Sequence, residues 1–188
     1  MTRIPIFDLD GTLLDSDAAL TAAFAELGVA PEQVTFGHVL AEECARLGIA
    51  VEDYVSQYDV TAAEPFPGIE EMLSRLERWG LCSNKHPDSG RAELARLGWS
   101  PEVALFADAF NGPKRLGPAL DAMGVAPEQA VFIGDSDHDR LCARSAGVEF
   151  VVAGWNPRAR AEPGDFVATE PLVICQVLDR PRSGKWSL

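Results

Sequence analysis

The chain has 188 residues, 47% of them hydrophobic and 24% charged, a composition that suits one globular domain or one domain with an insertion. Acids outnumber bases 29 to 16, leaving a net charge of -13. That balance argues against a nucleic-acid or anionic-membrane surface, both of which need a basic footprint. No apolar run approaches the length of a bilayer span, and Met1-Thr2-Arg3-Ile4 leads straight into a strand with no secretory leader. The four cysteines, Cys44, Cys82, Cys142 and Cys175, form no Cys-x-x-Cys pair, so the reading is reduced thiols in a cytoplasmic protein and not zinc ligands.

The first predicted element is a strand, Ile4 to Phe7, running into Asp8-Leu9-Asp10-Gly11-Thr12. Alternate strand residues share a face, so Asp8 and Asp10 point the same way if the strand continues. Two close carboxylates repel unless a cation lies between them, and Gly11 permits a sharp turn near a ligand. Pro5 conflicts with a central strand and is expected at its start or at a bulge.

Residues 15–65 read as helices without a strand: Ala18 to Leu27, Val39 to Leu47, and a piece around Val51 to Val60. This stretch holds ten acids and one base, Arg46. Pro65-Phe66-Pro67-Gly68 is a break, with Pro67 suited to the first turn of a helix over Ile69 to Trp79. A clipped strand, Leu81-Cys82, ends in Ser83-Asn84. A helix follows over Pro87 to Leu97, then an apolar-alternating strand over Phe106 to Phe110 and Asn111-Gly112-Pro113-Lys114. Leu116 to Met123 is helical. Ala130 to Gly134 is a buried strand ending in Asp135-Ser136-Asp137-His138-Asp139, followed by a helix over Arg140 to Ala146 and a strand over Val148 to Val152. Residues 180–188 form a polar tail.

Alternating strands and ten-residue helices predict an α/β fold, a doubly wound parallel sheet with a small all-helical insertion after the first strand. In such a sheet ligands bind beyond the carboxyl ends of the strands. Asp8, Asp10, Ser83, Asn84, Lys114, Asp135 and Asp139 all fall there. Clustered carboxylates call for a hard cation, and oxygen ligands favour Mg2+. A hydroxyl, an ammonium and turn amides suit a phosphate. Blander readings exist: Asp135 as a helix cap, Asp137 as a solvated turn residue, His86 and His138 as incidental, and Trp79, Trp99 and Trp155 as packing.

Asp8-x-Asp10-Gly11-Thr12, Ser83-Asn84, Lys114 and Gly134-Asp135-Ser136-x-x-Asp139 resemble, in order, the four motifs of the haloacid dehalogenase-like hydrolases, especially their phosphoglycolate-phosphatase-like members. The resemblance runs from Ile4 to Gly154 and implies a Rossmann-like core over 1–14 and 66–188 with a short helical cap over 15–65. It implies a Mg2+-dependent phosphatase of a small phosphorylated metabolite, working through an aspartyl-phosphate. Asp8 would be nucleophile and metal ligand, and Asp10 general acid/base with a carbonyl on the metal. Ser83 and Lys114 would hold the phosphoryl group, with Leu9, Gly11, Thr12 and Asn84 binding substrate. Asp135 would be the third metal ligand and Asp139 a supporting acid. Lys114 precedes Arg115-Leu116-Gly117-Pro118 instead of the family's usual Lys-Pro-x-Pro, which leaves Lys85 or Arg115 as substitutes. A phosphomutase is the nearest alternative. A receiver-like phospho-switch or a silent scaffold are alternatives from other classes, and the acid at position 10 argues against dehalogenation.

Overall fold

The structure is a computed structural model describing residues 3–37 and 39–179. Six strands form one sheet in the order β5-β4-β1-β6-β7-β8, every pair parallel. They are β1 (Ile4–Phe7), β4 (Gly80–Cys82), β5 (Val103–Leu105), β6 (Ala130–Gly134), β7 (Glu149–Ala153) and β8 (Phe166–Ala168). Five helices accompany them: α4 (Ile69–Ser74), α5 (Pro87–Leu97), α6 (Gly117–Met123), α7 (Asp137–Ala146) and α8 (Val173–Leu178).

Period-two alternation sorts the strand residues onto two faces. Phe7, Leu81, Val131, Ile133 and Val151 join one apolar cluster, while Ile6, Cys82, Phe132 and Ala130 join the other with Leu116, Leu120 and Met123. Both faces are covered, which is why these strands read as apolar runs without polar alternation. Pro5 is placed as the sequence required: β1 pairs with β4 only from Ile6 onward, so the proline lies where one neighbour alone pairs.

The insertion carries α1 (Asp17–Glu26), α2 (Leu40–Leu47) and α3 (Val51–Gln57). Its described residues form no separate core. Phe24, Cys44, Tyr54 and Tyr58 belong to the same cluster as Phe7 and Ile133, and the Phe24 and Tyr54 rings lie 4.4 Å apart. Burying each such ring contributes about 1.5–3 kcal/mol, so the insertion is fixed to the sheet by shared apolar area.

Four expectations need correction. Residues 15–65 are not purely helical at their ends: β2 (Leu14–Asp15) pairs antiparallel with β3 (Glu64–Pro65), closing the insertion at its neck. The third core strand is Val103–Leu105, and the Phe106 to Phe110 stretch is a 3-10 turn, because backbone pairing with β4 ends at Cys82. α4 stops at Ser74 and starts after Gly68, whose φ of 89° no helix interior accepts; Pro67 therefore lies outside it. β8 and α8 went unseen, since three strand residues and six helical ones are too few to show a period. The expected tail over 180–188 lies outside the described residues.

Candidate active site

The chain runs outward from β1 through β4 to β5, then crosses to β6 on the other side of β1. The order therefore reverses beside β1, and a crevice opens beyond the carboxyl ends of β1, β4 and β6. Asp8, Asp10, Ser83, Asn84, Lys114 and Asp135 line one cavity there. Leu20, Phe24, Phe36, Tyr54 and Tyr58 of the insertion line its other side.

β1 ends at Phe7, but the Asp8 N–H still donates to the Ile133 carbonyl at 2.9 Å, so the ladder with β6 holds Asp8 in place. The chain then turns within one tight loop: the amides of Leu13 and Leu14 donate to the Leu9 carbonyl at 2.9 and 3.0 Å, and Gly11 N–H donates to the Leu14 carbonyl at 2.8 Å. Gly11 has a φ of 76°, and a Cβ there would sit 2.5 Å from an Asp135 oxygen. Only glycine satisfies both the backbone and the neighbour. Thr12 is buried, and its hydroxyl makes no hydrogen bond.

Lys114 Nζ is 2.6 Å from Asp8 Oδ1 and 2.6 Å from Asp139 Oδ1. Both are short contacts between an ammonium and a carboxylate, so Lys114 bridges the two acids. Asp139 Oδ2 accepts from the Ser136 amide at 2.9 Å and hydroxyl at 2.6 Å. Asp139 fits under the strand end because Gly134 has no Cβ, which would lie 2.4 Å from the Asp139 side chain. Ser136, not Asp135, caps α7, which frees the Asp135 carboxylate. Asp137 is exposed and pairs with Arg140.

Oxygens of Asp8, Asp135 and Asp139 lie within 4.8 Å of one another, all buried. Burial first, and the neighbouring Asp139 charge with it, pushes Asp135 up to about 8 and Asp8 up to about 7, although Lys114 pulls Asp8 back. For Lys114, burial acts downward, but Asp139 and Asp8 overcome it and raise the ammonium well above its ordinary value. Three acids against one ammonium leave negative charge in excess. The donor set, three buried carboxylates within reach of one another, fits a hard divalent cation.

The remaining expected residues divide. Ser83 is buried beside β5, with its amide on the Leu105 carbonyl at 2.9 Å. Asn84 uses its side chain on protein: Nδ2 donates to the Gly37 carbonyl at 3.0 Å, and Oδ1 accepts from the Lys114 amide at 2.8 Å. It ties the insertion to the Lys114 loop. Neither suggested substitute stands at Lys114's place. Arg115 lines a separate cavity with Pro118 and Asp121, and Lys85 Nζ donates to Asp10 Oδ1 at 2.7 Å. His86 caps α5, its Nδ1 accepting from the Asp88 amide at 3.4 Å.

Sequence reasoning missed four participants. Asn156 Nδ2 donates to the Gly11 carbonyl at 2.8 Å and to Asp135 Oδ2 at 3.0 Å. Arg158 pairs with Asp17 of α1 and lies 3.8 Å from Asp135. Asn156 follows β7, so the strand-end rule that found Asp135 would have found it too. Tyr58 and Glu93, both buried around Lys85, carry no sequence signal. Trp155, expected only to pack, donates its indole N–H to the Thr12 carbonyl at 2.8 Å.

The family model for haloacid dehalogenase-like hydrolases matches residues 5–153. A phosphoglycolate phosphatase of Xanthomonas campestris is 33% identical over 83% of this chain and 85% of its own length. One of Xylella fastidiosa is 31% identical over 95% and 92%. A haloacid dehalogenase superfamily hydrolase of Geobacter sulfurreducens superposes with a TM-score of 0.68 at 25% identity, covering 94% of this chain and 96% of that one. Motif order, strand-end geometry and these likenesses agree: the chain belongs to the haloacid dehalogenase-like hydrolases, on their phosphatase side.

Proposed function

We propose that the protein is a Mg2+-dependent phosphatase of a small phosphorylated metabolite, with residues 1–14 and 66–188 as its core and 15–65 as a short cap. The observation that carries this reading is the convergence of Asp8, Asp135 and Asp139 with Lys114 at the switch point of the sheet. Asp8 and Asp135, with the Asp10 main-chain carbonyl, would hold Mg2+, which when bound offsets charge on the phosphoryl oxygens.

An Asp8 oxygen forms a bond to phosphorus as the ester P–O bond breaks, and the leaving oxygen keeps that electron pair and takes a proton from Asp10. The product on the chain is an aspartyl-phosphate. Asp10 then takes a proton from water as the water oxygen bonds to phosphorus, releasing phosphate and restoring Asp8. Ser83 and the amides of Leu9 and Asp10 hold phosphoryl oxygens, and Lys114 balances charge on Asp8. The cap's apolar wall keeps bulk water from the intermediate. The names of the curated relatives make 2-phosphoglycolate the first compound to assay, and the four free thiols support a reducing, cytoplasmic setting.

The test is phosphate release from a panel of phosphate monoesters with and without Mg2+, with acid-quenched enzyme examined for phosphorylated Asp8. Release that needs Mg2+ and leaves label on Asp8 supports the reading. Release unaffected by chelator, or by Asp8→Asn, overturns it.

A further inference from the structure

Lys85 was a possible stand-in for Lys114, but the mechanism above leaves it without a task. Its side chain is 4% exposed. Three acceptors surround it: Asp10 Oδ1 at 2.7 Å, Tyr58 OH at 2.8 Å and Glu93 Oε1 at 3.1 Å. An ammonium has three hydrogens and no lone pair, so none is left over for a phosphate. Lys85 is thus not a substrate ligand, and its one contact with the chemistry is Asp10.

That contact has a definite consequence. An oxygen accepting from an ammonium is not the oxygen that carries the carboxyl proton. Oδ1 of Asp10 is therefore the pinned acceptor, and Oδ2 is left to bear the proton. We propose that Lys85, Glu93 and Tyr58 form a positioning network that assigns the two Asp10 oxygens, Oδ1 to the lysine and Oδ2 to the leaving group. The proposal rests on Asp10 being the acid of the reaction.

The network is built to hold one geometry. Glu93, on α5, is fully buried and accepts a hydrogen bond from the Tyr58 hydroxyl at 2.6 Å, while the same hydroxyl accepts from Lys85. The Tyr58 ring also lies under Lys85, with Nζ 4.5 Å from its centroid. Glu93 and Lys85 come from the core, and Tyr58 from the loop after α3 in the insertion. The cap thus completes the arrangement that orients Asp10, so a seated cap and a correctly oriented acid occur together.

The step it serves is the first: the P–O ester bond breaks, its electron pair goes to the leaving oxygen, and the Asp10 Oδ2 proton moves to that oxygen. An activated phenolate leaves without that proton, and an alkoxide does not. Tyr58→Phe, Glu93→Gln and Lys85→Met should therefore be assayed on 4-nitrophenyl phosphate and on the best alkyl phosphate of the panel. We expect kcat/KM on the aryl ester to stay within about threefold and on the alkyl ester to fall about tenfold or more, chiefly in kcat. Taking the ratio of the two substrates on one preparation removes any loss of folded protein. An equal fall on both esters, no fall on either, or a change confined to KM overturns the network. Wild-type protein releasing phosphate from neither ester overturns the phosphatase reading instead, a distinct result.

Discussion

Two buried lysines, each 4% exposed at the side chain, sit in neighbouring parts of the cavity and are used in opposite ways. Lys114 lies among three acids and bridges two of them, Asp8 and Asp139. Lys85 lies among two acids and a phenol that use all its hydrogens. The first region is electrostatically unfinished and has room for a cation and a phosphate. The second uses every hydrogen of its ammonium, leaves Glu93 Oε2 without a hydrogen bond, and holds its members in place. A buried charge cluster left unsatisfied marks where chemistry is done, and a closed one marks what keeps it aligned.

The largest effect should come from the unfinished side. Asp8→Asn should lower kcat on the best phosphate monoester by about a thousandfold or more, with an unchanged circular dichroism spectrum. A residual rate near wild type removes the nucleophile from the account. Lys114→Met leaves Asp8 and Asp139 unpaired and should cost about 3–5 kcal/mol in denaturant unfolding without metal. A loss below about 1 kcal/mol would show that the acids relax without it.

Metal and pH sharpen the same contrast. Asp8 and Asp135 titrate near 7 and 8 instead of at the ordinary 3.8, so the metal-free folded state binds more protons than the unfolded chain between those values. The stability these two groups add at low pH is therefore lost as pH rises from about 4 to about 8. Thermal melts of metal-free protein should fall across that window, and saturating Mg2+ should raise the melt most at its upper end. Asp135→Asn should blunt both responses, whereas a Mg2+ response that survives it places the cation elsewhere.

On the closed side the stability effects are smaller. Tyr58→Phe removes two hydrogen bonds and should cost about 1–3 kcal/mol in unfolding, with little change in the Mg2+ response. The smallest effect belongs to Arg75→Ala just past the end of α4, whose partner Glu71 is exposed: a shift within about 0.5 kcal/mol, and no change on either ester. A larger one would mean that surface charge contributes more to stability than burial suggests.

Much of the fold was legible because its signals are local. Pro87 and Gly98 bracket α5 at the limits the sequence indicates, and Ala130–Gly134 is the strand its apolar run implies. Val103–Leu105 was displaced to Phe106–Phe110 because Phe106 and Phe110 are buried without being strand, and burial alone does not report backbone pairing. Asp135 and Asp139 were found from spacing after a strand, while Glu93, with no motif around it, was not.

The order of Asp8, Asp10, Ser83, Lys114 and Asp135 along the chain, each at a predicted strand end or just beyond one, was enough to imply one crevice and one kind of chemistry. Parallel strands send their carboxyl ends to the same edge whatever their loops do. Which lysine meets Asp8, which residue caps α7, and that a tyrosine of the insertion reaches Lys85 were decided by tertiary structure alone. Those are separations of a few ångströms between residues tens of positions apart, set by how the helices pack on the sheet, and no local periodicity encodes them.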